Sequence, residues 1–122
     1  MKEMIYESEL KVLKILWKEG DVSAKELAIK LNKSTGWSKT TTYTVLKRCV
    51  EKGLILRLGY YFTCRATITE EEARKMEIEI LTNKMFDGSS DLLVASLLGA
   101  SKITATQIDA LRNVAQEFLV EG

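Results

Sequence analysis

The chain has 122 residues, of which 46% are apolar and 29% charged, with 18 Lys/Arg against 17 Asp/Glu. That length holds one or two small units, and that apolar share builds a folded core, which excludes a disordered chain. Histidine and proline are absent and the two cysteines are Cys49 and Cys64, so a disulfide framework, a four-ligand Cys/His zinc site and histidine acid–base chemistry are excluded.

The opening MKEMIYESEL is charged and carries no apolar signal-peptide core; a cytoplasmic protein without membrane insertion is expected. The longest apolar run, Leu92–Ala95, falls far short of the ~20 residues of a membrane span. The net charge of +1 hides an asymmetry. Residues 1–65 hold 13 Lys/Arg and 7 Asp/Glu, and residues 66–122 hold 5 and 10. A basic half followed by an acidic half predicts a surface aimed at a polyanion and a separate acidic unit.

Glu7–Lys18 reads as a helix with Leu10, Leu13, Leu16 and Trp17 on one stripe, stopped at Gly20. Val22 is a short strand position. Ser23 and Glu26 form a capping box that opens a second helix, Ala24 to about Leu31, and Asn32–Trp37 makes a turn punctuated by Gly36. Ser38 is an N-cap for a third helix ending at Lys52-Gly53. Two short strands follow, Leu54–Arg57 and Tyr60–Cys64, joined by a tight turn at Leu58-Gly59. Thr69 with Glu72 caps a helix to about Phe86, and Asp87-Gly88 breaks it. Ser89 caps a helix through Leu98 that ends at Gly99, and Thr104 with Gln107 caps the last one. The fold class is therefore mainly α with a small β-hairpin. Residues 1–67 are expected to form one unit of three helices and that hairpin, and residues 68–122 a three-helix unit.

At about 100° per residue, Val45, Leu46, Cys49 and Val50 cluster on one side of the third helix. Lys39, Thr40, Thr41, Thr44, Lys47 and Arg48 fall on or beside the opposite side. Threonine hydroxyls and methyls suit base edges in a DNA major groove, and the cations suit phosphates. β-branched residues build helices poorly, so helix formation alone does not account for that threonine run. The plain alternative is a solvated polar face. On the hairpin, Arg57 and Arg65 are placed to reach phosphates or a minor groove, and Tyr60 to meet backbone or sugar. Adjacent strand residues face opposite ways, so one of Tyr60 and Tyr61 points outward, depending on register.

A single module of this size buries little DNA surface, and symmetric dimers reading two half-sites are the usual solution. Leu92–Leu98 is apolar nearly all round and must be buried, either against its own chain or by a partner. The expected dimer interface is Leu92, Leu93, Leu97 and Leu98 with Leu111 and Phe118 of the last helix. No nucleophile elbow, phosphate loop or nucleotide fingerprint is present, so neither a catalytic site nor a cofactor or metal is expected. Cys49 reads as a core residue; Cys64, ending a strand, reads as an exposed thiol with a minor redox option.

Several stretches together resemble one family: Lys14-Ile15-Leu16-Trp17, Trp37-Ser38, Thr41-x-x-Thr44-x-Leu46-x-Arg48, Lys52-Gly53-Leu54, Met85-Phe86-Asp87-Gly88 and Ile108-Asp109-Ala110-Leu111-Arg112. The chain is similar to the penicillinase-repressor family of bacteria (the BlaI/MecI type, with the copper-transport repressor CopY as a cousin). The resemblance implies a winged helix-turn-helix DNA-binding domain over residues 1–67, its hairpin being the wing, and a three-helix dimerisation domain over residues 68–122. It implies a homodimeric repressor on a palindromic operator that controls β-lactam-resistance genes and its own gene. It implies release by a membrane sensor-protease or a downstream protease that cuts the dimerisation region, at a position mapping to Ser96-Leu97. Here Gly59 is followed by Tyr60, where the family's wing tip often shows Gly-Arg. Ser96-Leu97 replaces the family's Asn-Phe pair. The Cys-x-Cys motifs of the copper-responsive branch are absent. The alternatives are a repressor answering another signal, and a winged helix whose basic face docks an acidic protein partner.

Overall fold

The computed structural model describes residues 4–59, 61–100 and 103–121, the side chains of 100 and 118–121 excepted. The elements run α1 (Glu7–Glu19), β1 (Val22–Ser23), α2 (Ala24–Thr35), α3 (Lys39–Glu51), β2 (Ile55–Leu58), β3 (Thr63–Ala66), α4 (Glu70–Met85), α5 (Ser90–Ala100) and α6 (Ala105–Glu121). The chain divides into two compact units, Met1–Ile80 and Leu81–Gly122. The division falls inside α4, so the early turns of that helix pack with the unit before them.

In the first unit the stripe of α1 that faces the core is Glu9, Val12, Leu13 and Leu16, at i, i+3, i+4 and i+7. Leu10 and Trp17 are half-buried beside it. Leu27 and Leu31 of α2, Val45, Leu46 and Cys49 of α3, and Ile55 and Cys64 of the sheet complete the core. The sheet order is β1-β3-β2, all antiparallel, with Val22 opposite Cys64 and Arg57 opposite Cys64 from the other side. Trp17 Nε1 donates to the Ile68 carbonyl at 2.8 Å, and Ile5 N donates to Glu77 at 2.8 Å. These bonds tie α1 to the segment before α4, and the chain just ahead of α1 to the middle of α4.

Four expectations change. Helix α2 runs on to Thr35, because Asn32–Thr35 stay helical and the chain reverses only at Gly36, with φ 78° and its N–H on the Asn32 carbonyl. The hairpin is not a tight turn at Leu58-Gly59. Leu58 pairs with Thr63, so the connection spans residues 59–62. Phe62 takes a left-handed φ of 55°, which ends the extended strand before Thr63, while its carbonyl still accepts the Ala24 N–H at 2.9 Å in the register of β1 and β3. On α3, Val50 is exposed and Thr42 is fully buried. Relative to Val45, Thr42 lies at about 60°, inside the apolar arc, and Val50 at about 140°, beyond it. Finally, α5 passes through Gly99, which keeps a negative φ, to Ala100.

In the second unit, Asp87 (φ 50°) and Gly88 (φ 78°) make the break after α4. Ser89 Oγ accepts the Leu92 N–H, and Thr104 and Gln107 exchange reciprocal capping bonds at 3.0 and 3.2 Å. No helix among the described residues is long and apolar enough to cross a membrane.

Candidate nucleic-acid interface

The approach to α3 is fixed by local hydrogen bonds. Thr35 Oγ1 donates to the Leu31 carbonyl and accepts the Trp37 N–H, while Asn32 Nδ2 donates to the Trp37 carbonyl at 2.9 Å. Ser38 Oγ then accepts the Thr41 N–H at 3.1 Å, which caps α3. With Thr42, Val45, Leu46 and Cys49 buried, the helix has one rotation about its axis. Lys39, Thr40, Thr41, Thr44 and Lys47 are all left exposed.

Lys39, Thr40, Tyr43, Thr44 and Lys47 line a shallow groove of about 420 Å³ along the helix. Tyr43 was not among the expected site residues. It is half-buried beneath the groove, and its ring lies 5.8 Å from the Lys39 ammonium. Position i+4 from Lys39 is the only signal in the chain that finds it. Thr44 Oγ1 donates to the Thr40 carbonyl at 2.9 Å, and Thr41 Oγ1 lies 3.0 Å from Ser38 Oγ. Both hydroxyls keep lone pairs for a further donor.

The other expected cations differ in their surroundings. Arg48 is half-buried and donates to Ser8 Oγ at 2.6 Å, with its Nε 3.5 Å from Glu9 Oε2. Arg57, exposed on β2, stacks over Phe62 at 3.6 Å from the ring centroid. Arg65 is held by Asp21 through contacts of 2.8–3.2 Å. Its hydrogen bond keeps the Asp21 carboxyl below the ordinary carboxylate range, and Asp21 in turn raises Arg65. Arg65 is thus neutralised locally, while Arg57 has no ion pair among the described residues. Tyr61 is 87% exposed, and Tyr60 lies outside the described residues.

In the second unit Leu92, Leu97, Leu98 and Leu111 are each at least half exposed and Leu93 is half-buried. Ser96 is exposed beside Leu97, and the Phe118 side chain lies outside the described residues. Val94, Ile108 and Val114 are exposed as well. Cys64 is not an exposed thiol. It is fully buried under the sheet, where burial pushes its pKa up to about 11, as it pushes Cys49 to about 12. Neither is a thiolate at neutral pH.

Three helices, a two-strand wing and a basic, threonine-rich helix face presented beside that wing define a winged-helix DNA-binding regulator. The chain belongs to the penicillinase repressor family, whose model matches residues 5–117; its members are regulators and not enzymes. The chain is 25% identical to the penicillinase repressor of Bacillus licheniformis over 115 residues, 93% of this chain and 90% of that one. It is 24% identical to the penicillinase repressor of Staphylococcus aureus, over 91% of this chain and 90% of the relative. The solution structure of the DNA-binding domain of the repressor BlaI matches with a TM-score of 0.51 at 30% identity, covering 59% of this chain and 93% of that one. The Bacillus licheniformis BlaI monomer in complex with the blaP half-operator matches at 0.50 and 30%, covering 57% and 88%.

Proposed function

We propose that the chain is a homodimeric transcriptional repressor, acting in the cytoplasm on a palindromic operator that governs β-lactam-resistance genes. Residues 1–67 read the DNA and residues 68–122 pair the subunits. One observation carries the reading: α3 is pinned by its buried side and offers Lys39, Thr40, Thr41, Thr44 and Lys47 as one exposed face. The likeness to a repressor solved on its half-operator supports it.

In this reading α3 lies in the major groove, with threonines at base edges and lysines at phosphates. Arg48 and the wing residues Arg57 and Tyr60 contact the backbone alongside. Leu92, Leu93, Leu97, Leu98, Leu111 and Phe118 meet their counterparts in the second subunit. Each half-site is bound weakly, and the dimer combines the two. A cut at Ser96-Leu97, by a membrane sensor-protease or a protease downstream of it, divides the pairing surface and releases the operator without touching a DNA contact. A repressor answering a different signal is the second reading. It is favoured by Ser96-Leu97, which departs from the family's Asn-Phe pair.

The test is operator selection from random duplexes, then a mobility-shift titration across salt. Neutralising six to ten phosphates makes affinity fall ~10³–10⁵-fold between 50 and 200 mM salt. A flat salt response without sequence preference overturns the proposal. Immunoblotting after β-lactam exposure tests release: two fragments divided within α5 support it, and an intact chain with derepressed genes favours the second reading.

A further inference from the structure

Phe62 sits at a junction. Its φ of 55° lies in the left-handed region, which a bulky residue adopts only where surrounding contacts impose it. Its carbonyl takes the Ala24 N–H at 2.9 Å, satisfying the first free donor of α2. Its ring stands edge-on to Tyr43 of α3, with centroids 6.3 Å apart at 71°. The guanidinium of Arg57 lies over its face, 3.6 Å from the centroid. The Lys39 ammonium in turn lies 5.8 Å from the Tyr43 ring. Lys39, Tyr43, Phe62 and Arg57 thus form one continuous row, with two aromatic rings between two cations, running from the exposed face of α3 to the wing.

An arginine on an exposed strand must surrender side-chain freedom when it binds an anion, and that loss weakens binding. A guanidinium stacked on a ring engages through its face and keeps its in-plane N–H donors for an anion. The other wing arginine, Arg65, spends those donors on Asp21. Arg57 forms no ion pair among the described residues. We propose that Phe62 is a positioning residue for DNA binding: braced against Tyr43, it holds Arg57 at a set place relative to α3, so that wing and helix engage one duplex as a prearranged pair. The proposal rests on the DNA-binding reading above.

A double-mutant cycle on the full chain tests it, using a duplex selected by the wild-type protein and fluorescence anisotropy at several salt concentrations. Arg57→Ala and Phe62→Ala should each weaken binding about tenfold, the size of one net charge-assisted contact. Arg57→Ala should lower the salt slope by about 1. The double variant should bind no more weakly than Arg57→Ala, and Phe62→Tyr, which keeps the ring, should match wild type. Tryptophan fluorescence in urea checks that each variant folds. If Phe62→Ala does not fold, Phe62→Leu takes its place in the cycle, since it keeps apolar bulk without a ring face. Independent, multiplying effects of the two substitutions overturn the inference alone, as does an Arg57→Ala variant with unchanged affinity. A wild-type chain that binds no duplex overturns the DNA reading and this inference with it.

Discussion

Glu9 and Lys52 form an ion pair, 2.7 Å between Oε1 and Nζ, that joins the first turn of α1 to the C-cap of α3. Glu9 is fully buried and the Lys52 side chain is only 14% exposed. The same carboxylate accepts the Tyr6 N–H, Lys52 also donates to the Met4 carbonyl, and the Tyr6 ring lies 4.4 Å from the ammonium. Glu9 Oε2 and Arg48 Nε face each other at 3.5 Å, an ion pair without hydrogen-bond geometry, and neither atom has a hydrogen-bond partner among the described residues. Desolvation offsets much of the attraction in such a pair. Its clearest consequence is geometric, because it fixes where the C-terminal end of α3 sits on α1.

Removing one partner should therefore cost more than removing both. Lys52→Met leaves a buried carboxylate with the Tyr6 N–H and the poorly aligned Arg48 beside it and should destabilise the first unit by about 3 kcal/mol. The double variant Glu9→Met, Lys52→Met should recover most of that. Trp17 and Trp37 both lie in this unit, so their fluorescence in urea reports its unfolding. Equal losses in the single and double variants would show that the pair does not act as a unit.

The exposed side of α3 predicts two separable defects. Thr44→Ala removes an exposed hydroxyl and replaces a β-branched residue with a better helix former, so the fold should hold. Discrimination between the selected operator and a scrambled duplex should drop by about 1–3 kcal/mol. Lys47→Ala should weaken both duplexes alike and lower the salt slope by about 1. Binding titrations on the two duplexes at four salt concentrations distinguish the outcomes. A Lys47→Ala variant that loses only operator preference would reverse the two roles.

Cys49 and Cys64 predict an alkaline instability. In the unfolded chain their thiols ionise near the ordinary value of 9, and in the fold near 12 and 11, because both are buried. Below pH 9 both states hold the proton and the thiols add no pH dependence. Above it the unfolded state releases protons that the fold retains, so stability falls with rising pH until the folded values are reached. The slope is about 1.4 kcal/mol per pH unit per thiol. Comparing wild type with Cys49→Ala, Cys64→Ala between pH 8 and 10.5 isolates the effect from lysines and tyrosines. Parallel curves would remove the thiols as its source.

Much of this architecture is legible in the chain because its punctuation is local. Ser23, Ser38, Thr69, Ser89 and Thr104 each begin a helix with a short polar side chain on nearby N–H groups, and such bonds need no tertiary partner. The parts not legible depend on distant contacts. Glu9 completes the i, i+3, i+4, i+7 stripe of α1, but a carboxylate joins a core only when cations from α3 arrive there. Thr42 sits inside the apolar arc of α3 and is buried, a place that only its helical spacing and not its hydroxyl points to. Arg57 and Arg65 look alike in sequence, and only Asp21, far away in the chain, separates them. The turn at Gly59 is misread because Phe62 adopts a left-handed φ and places its ring against Tyr43 and Arg57, contacts that come from other parts of the fold.

The second unit predicts a clean separation of folding from assembly. Leu97 is 54% exposed within the chain, in a helix where Leu92, Val94 and Leu98 are equally exposed. Several large apolar side chains exposed on one helix are what the proposed dimer interface requires. Leu97→Asp changes an exposed position, so α5 and the first unit should keep their helical circular dichroism and urea midpoint. Across a dimer interface the same carboxylate would be buried without a partner, a cost of several kcal/mol. The dimer dissociation constant should rise at least ~100-fold. Sedimentation equilibrium should then find monomers at micromolar concentration, and half-saturation of a palindromic operator should shift upward while a single half-site binds as before. Leu111→Asp on α6 should do the same. A Leu97→Asp chain that still sediments as a dimer would remove α5 from the interface.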